Sequence, residues 1–148
     1  MTAPRDETMD WLAQLVGFDT TSRDSNLALI DAIAEAGSRA GLRPRIVPDA
    51  DGRKANLVLT VPDATGGTEG GVMLAGHVDC VPVDGQNWSS DPFRLTIRDG
   101  LVYGRGTADM KGFDAAVVAA LPDITAAPLR EPLHLAFTYD EEVGCRGA

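Results

Sequence analysis

The sequence predicts an α/β domain built on a mixed, mainly parallel sheet flanked by helices. Three features carry that expectation. Two helical stripes of apolar residues open the chain, short apolar runs follow them, and turns bearing glycine or proline separate the runs. With 148 residues the chain is long enough for one domain that buries about 70% of its unfolded surface.

Taken in order, "DETMDWLAQLVGF" sets Met9, Leu12, Leu15, Val16 and Trp11 along one helical stripe. "SNLALIDAIAEAGSRAG" repeats the pattern with Leu27, Ile30, Ile33 and Ala34, capped by Ser25 and stopped near Gly41. "RPRIVP" and "NLVLTV" read as strands, and "DATGGTEGG" is a glycine-rich turn. "VMLAGH" is a nearly continuous apolar run of the kind covered on both faces, so a central position in the sheet is expected for it. "FRLTIR" and "LVYG" flank Asp99-Gly100, a pair that accepts the positive φ angles of a type I′ hairpin turn. "MKGFDAAVVAAL" is a third helix ended by Pro122, and "LHLAFTY" a further strand.

Composition excludes several function classes. Hydrophobic content of 44% with 24% charged residues is that of a soluble globular protein, and no run approaches the ~18 apolar residues of a membrane span. The opening "MTAPRDETMDWL" has no apolar core followed by a cleavage site, which makes the cytoplasm the expected location. Without an export signal Cys80 and Cys145 are expected as free thiols. A net charge of -9 argues against nucleic acid and anionic membranes as partners.

In open α/β sheets ligands sit beyond the carboxyl ends of the strands, and two polar clusters fall there: "GHVD" after "VMLA", and "DEE" after "LHLAFTY". The spacing of two puts His77 and Asp79 on one side of an extended backbone. There the carboxylate can accept the ring N–H that a metal leaves free, or the two side chains simply pair at a strand end. Asp109 in "YGRGTADMKG" precedes the third helix and reads equally as its N-cap. The glycines of "GRG" complete neither a P-loop nor a G-x-G-x-x-G fingerprint, which excludes nucleotide binding. Glu141 and Glu142, adjacent on a strand, reach one site only if the chain turns, and Gly144 provides for a turn; otherwise they form a solvated acidic loop. His134 alternates between Leu133 and Leu135 and reads as structural.

Together, one imidazole and several carboxylates at strand ends suit a pair of divalent metals, zinc foremost with cobalt as an alternative, and a carboxylate able to bridge. With "GHVDCVPVDGQNWSSDPF", "YGRGTADMKGF" and "TYDEEVGCRGA" in place, the chain from Trp11 onward resembles the amino-terminal part of the di-zinc amidohydrolases and metallopeptidases. That resemblance implies that His77 ligates one zinc, Asp109 bridges, Glu142 ligates the other zinc, Glu141 is the general base and Asp79 orients His77. It also implies a cis peptide between Asp109 and Met110.

The implied reaction is amide hydrolysis, in which Glu141 takes a proton from a metal-activated water and passes it to the departing amine. The motifs look most like those of family members acting on N-acetylornithine, with release of ornithine and acetate. Phe113 and the "DEEVGC" context favour that small N-acyl amino acid over succinyl-diaminopimelate. A different class of reading is a relative or fragment without catalysis. Residues 1–148 are expected to form a partial catalytic domain. The carboxyl-terminal part of that domain, two further metal ligands, and a lid domain carrying substrate contacts and homodimer contacts would lie outside them. "GCRGA" reads as the first turn of a helix. The chain alone is therefore expected to hold metal poorly, to be inactive and to associate through uncovered surface.

Overall fold

The computed structural model describes residues 6–148. Residues 1–5, part of the stretch on which the location was read, lie outside the described residues. The elements are α1 (Asp6–Val16), α2 (Leu27–Arg39), β1 (Arg45–Pro48), β2 (Ala55–Val61), β3 (Val72–His77), β4 (Thr96–Arg98), β5 (Leu101–Tyr103), α3 (Lys111–Ala119), α4 (Leu121–Ala126) and β6 (Leu133–Thr138). No helix among the described residues is long and apolar enough to cross a membrane.

Four strands form a mixed sheet in the order β1-β2-β6-β3. β6 runs parallel to β3 and antiparallel to β2, and β1 and β2 are also antiparallel. The mixed sheet is as expected, but among these four strands parallel pairing is confined to β3 and β6, so the expected mainly parallel balance is not met. β4 and β5 make the separate expected hairpin, with Asp99 at φ 53° and Gly100 at φ 72° in its turn.

One apolar core lies between this sheet and the helices. Period-two alternation buries Ala55, Leu57, Leu59 and Val61 of β2 on one face. Leu135 and Phe137 stand beside them on β6, in register with Leu59 and Leu57. Leu12, Leu15 and Val16 of α1, Ile30 and Ile33 of α2, and Val117 and Val118 of α3 close over that surface. α2 packs on β2, α3 on β3, and α1 on α3.

β3 departs from expectation, for it is an edge strand rather than a central one. Its apolar run resembles one buried on both sides. Leu74 is only partly exposed and Gly76 is buried, but Val72 and Met73 are 55% and 57% exposed. A continuous run thus conceals a strand covered on one face near its carboxyl end. α3 is also shorter than expected: it stops at Ala119, and Pro122 sits in the first turn of α4 instead, where proline is tolerated.

The start of α2 differs from expectation as well. Asn26, not Ser25, occupies the N-cap position, and Ser25 Oγ only accepts the Leu27 N–H at 3.3 Å. The Asn26 side chain turns to β2, where its Nδ2 donates to the Ala55 carbonyl at 2.8 Å and its Oδ1 accepts the Ala55 N–H at 3.0 Å. All of these groups are buried, so losing the amide leaves two backbone groups unsatisfied. Asn26→Ala is expected to cost about 2–3 kcal/mol of stability in urea denaturation. Ser25→Ala should cost less than about 0.5 kcal/mol, as an exposed change does.

Candidate metal centre

The carboxyl ends of β3 and β6 lie side by side because the two strands are parallel and His77 is in register with Thr138. Just past these ends the chain leaves the sheet as residues 78–80 and 139–142. The clusters read separately in the sequence therefore meet at one edge, as the switch-point rule for open sheets requires.

His77 and Asp79 are both buried, at 5% and 2% exposure. The ring Nδ1 donates to the Asp79 carbonyl at 3.1 Å and lies 3.4 Å from Oδ1 of the Asp79 carboxylate. The carboxylate reaches the ring less closely than the spacing implied, because most of its capacity goes elsewhere. It accepts the Ser22 hydroxyl at 2.6 Å, the Glu141 N–H at 3.0 Å and the Glu142 N–H at 3.3 Å. Burial opposes its ionisation, yet the His77 ring, the Ser22 hydroxyl and the two amides together hold Asp79 below the usual carboxylate range.

With Nδ1 engaged, Nε2 faces the other acids, 3.0 Å from Asp109 Oδ1 and 3.7 Å from Glu141 Oε2. One ligand atom each from His77, Glu141 and Glu142 lie within 4.8 Å of one another. This donor set, an imidazole with its far nitrogen anchored and carboxylates converging on its near one, fits a hard to borderline divalent cation. Asp109 is exposed at the rim, and its contact with Nε2 occupies the position of the proton a metal would replace. It does not cap α3: Met110 holds the N-cap position, without a side-chain cap. The Asp109–Met110 peptide is cis.

The turn that lets both glutamates face one site begins earlier than Gly144. Asp140 already has φ 56°, and the chain then folds through bonds from Gly144 N–H and Cys145 N–H to the Glu141 carbonyl, each 3.1 Å. "GCRGA" is accordingly a closed turn, since Cys145 at φ 53° and Gly144 at φ 106° depart from helical geometry. Cys80 is buried, Cys145 exposed, and both are free. His134 is structural, with Nδ1 3.0 Å from Thr60 Oγ1 and Nε2 2.9 Å from the Gly70 carbonyl.

Sequence reading missed Ser22 and Lys54, which carry no motif and reach the site only through folding. It also missed what α3 places beneath β3. Asp114 is fully buried, and neither carboxyl oxygen has a hydrogen-bond partner among the described residues. Burial pushes it up to about 8. A Cβ at position 76 would run into that carboxyl group and the Phe113 ring, so the close approach of α3 to β3 requires glycine there. Lys111 is buried too, its Nζ donating to the Phe18 carbonyl at 2.7 Å.

Comparison with known proteins bears on what this site belongs to. Residues 73–148 match the model of peptidase family M20/M25/M40. A curated relative from Yersinia pseudotuberculosis, named acetylornithine deacetylase, is 44% identical over 132 residues, covering 88% of this chain and 34% of the relative. One of the same name from Pasteurella multocida is 45% identical over 125 residues, covering 84% and 32%. Human carnosine dipeptidase 1 superposes with a TM-score of 0.78 at 25% identity, over 96% of this chain and 33% of that one. A metallo-carboxypeptidase of the M20 family from Sulfolobus solfataricus gives 0.78 at 20% identity, over 95% and 32%. The chain belongs to peptidase family M20/M25/M40. It spans about a third of the length of the curated relatives it matches.

Protonation of His77 sets the pH dependence of this site. Its hydrogen bond to Asp79, followed by that to Asp109, outweighs burial and raises the ring from 6.5 to about 9. A raised folded-state value means that the metal-free protein gains stability from this group fully below pH 6.5 and loses it as pH rises through about 9. The urea midpoint of metal-free protein should fall over that interval, and the fall should shrink in His77→Gln. Divalent metal added at pH 7.5 should release about one proton, that of His77, for the ion this ring binds, read by calorimetry in buffers of different ionisation enthalpy.

Proposed function

We propose that this chain contributes the first part of the metal centre of a metal-dependent amide hydrolase that removes the acetyl group from N-acetylornithine. The observation that carries the reading is the convergence of His77, Glu141 and Glu142 within 4.8 Å in a chain of this family. The name shared by the relatives from Yersinia pseudotuberculosis and Pasteurella multocida supports the substrate. Ornithine release would place the reaction in arginine biosynthesis, and the cytoplasm is the compartment proposed for it.

Two divalent ions, zinc by preference, would be held by His77 on one side, Glu142 on the other and Asp109 between. Bound there, they would supply Lewis acidity that lowers the pKa of water and polarises an amide carbonyl. Asp79 keeps the His77 ring turned so that Nε2 faces the site, and through the Glu141 and Glu142 amides it fixes where both side chains start. The Glu141 side chain is 45% exposed and lies at the open side of the cluster, which suits a group that must meet water, take its proton and deliver it to the leaving amine. Burial, and after it the nearby Asp109, raises Glu142, as expected of a carboxylate that lacks a cation.

We also propose that residues 1–148 do not turn over substrate by themselves. The described residues offer one terminal ligand for each ion beside Asp109, where closed di-metal sites have more.

In a chain extended to the length of its relatives, Glu141→Gln should keep metal and lose at least ~100-fold in turnover. Glu142→Ala should lower metal occupancy, and loss of zinc from Glu141→Gln instead would reverse the two roles. The same protein should hydrolyse N-acetylornithine faster than N-succinyl-diaminopimelate; the opposite order defeats the substrate assignment. Residues 1–148 expressed alone should show neither two tightly held zinc ions nor hydrolysis, and two held ions with turnover from a monodisperse sample would refute the incomplete site.

A further inference from the structure

Lys54 directly precedes β2, which opens on Ala55-Asn56. Ala55 points into the core, so period-two alternation sends Lys54 and Asn56 together to the other side of the strand. Both direct polar atoms to one nine-residue loop, 139–147. Asn56 Oδ1 accepts the Tyr139 N–H at 3.2 Å, and its Nδ2 donates to the Gly147 carbonyl. One side chain thereby ties both ends of the loop, which also meet through Gly147 N–H and the Tyr139 carbonyl at 3.1 Å.

Lys54 makes the second attachment. Its Nζ donates to the Asp140 carboxylate and to the Ser22 carbonyl, and stands 6.0 Å from the centre of the Tyr139 ring. Ser22 is the residue whose hydroxyl holds Asp79, while Asp140 directly precedes the two glutamates whose amides Asp79 accepts. The contacts close a ring: Lys54 to Ser22, Ser22 to Asp79, Asp79 to Glu141 and Glu142, and Asp140 back to Lys54. The Lys54 and Asp140 side chains are 13% and 9% exposed, so water competes little for this ion pair, and removing the ammonium leaves a mostly buried carboxylate unpaired.

We propose that Lys54 and Asn56 are positioning residues that clamp the 139–147 loop and so set where Glu141 and Glu142 meet the metal. The inference rests on the metal-centre reading above, but the clamp itself is testable without metal. Lys54 and Asn56 act through Asp140, Ser22 and the loop backbone and touch neither His77 nor the glutamate side chains.

The test is amide hydrogen exchange by NMR on metal-free wild type, Lys54→Gln, Asn56→Ala and Lys54→Arg, followed by cobalt(II) titration read in the visible spectrum. Lys54→Gln and Asn56→Ala should each speed exchange at Glu141 and Glu142 by about tenfold or more, with Leu57 and Leu135 in the core unchanged. Cobalt affinity should fall about tenfold with an altered spectrum, and Lys54→Arg, which keeps the charge, should restore both. Unchanged exchange at the two glutamates, or equal loss of protection at Leu57 and Leu135, overturns the clamp. Faster exchange with unchanged cobalt binding overturns its link to the metal. Should a Lys54 variant not fold, Asn56→Ala and Asn56→Ser decide the same question. Cobalt uptake indifferent to His77→Ala would instead defeat the metal-centre reading, and the exchange result would still decide the clamp.

Discussion

The Asp79 carboxylate is the interaction on which the rest of the site depends. It sits at the end of β3 and binds a hydroxyl from the loop after α1 and two backbone amides from the loop after β6. Three segments far apart in sequence are joined at one pair of oxygen atoms. A buried anion is costly unless hydrogen bonds satisfy it, and here they come from groups that must be held still for the site to exist. The same contacts that make the anion tolerable place the backbone of Glu141 and Glu142.

Around that hub the charge balance is lopsided. Asp79, Asp109, Glu141 and Glu142 crowd one imidazole, and Lys54 is committed to Asp140 at the back of the loop. The metal-free protein answers by keeping a proton on His77 and by raising Glu142. The His77 response comes from the carboxylates bonded to its ring, whereas Glu142 is raised first by burial and then by Asp109.

The helix layer has a comparable constraint. α3 approaches β3 so closely at Gly76 that no side chain fits between, and it carries two buried charged residue types on its sheet-facing side. Lys111 finds the Phe18 carbonyl, which links the start of α3 to the end of the α1 segment; Asp114 finds no partner, and burial favours its neutral form. α3 thus follows the loop of Asp109, bonds the segment that leads to Ser22 and packs on the backbone before His77.

Much of this was legible in the sequence because local physics wrote it there. Helical stripes exposed α1 and α2, alternation exposed β2 and β6, the Asp99-Gly100 pair exposed the hairpin, and position at strand ends marked His77, Asp79, Glu141 and Glu142 as candidates, while Asp109 was singled out only by the family resemblance of its motif. What failed depended on neighbours. The apolar run of β3 could not reveal that its strand lies at an edge, since exposure is a property of what packs against it. Ser25 looked like the cap, but Asn26 took the position because β2 offered its side chain two backbone partners. Asp109 looked like a cap until His77 stood 3.0 Å away. The sequence alone determined which elements form and which chemistry their ends carry, because those follow from side chains a few residues apart. The tertiary structure alone decided that Ser22, Lys54, Asp79 and the two glutamates share one network, because hydrogen bonds across 57 to 86 residues of chain exist only once the sheet has brought the strand ends together.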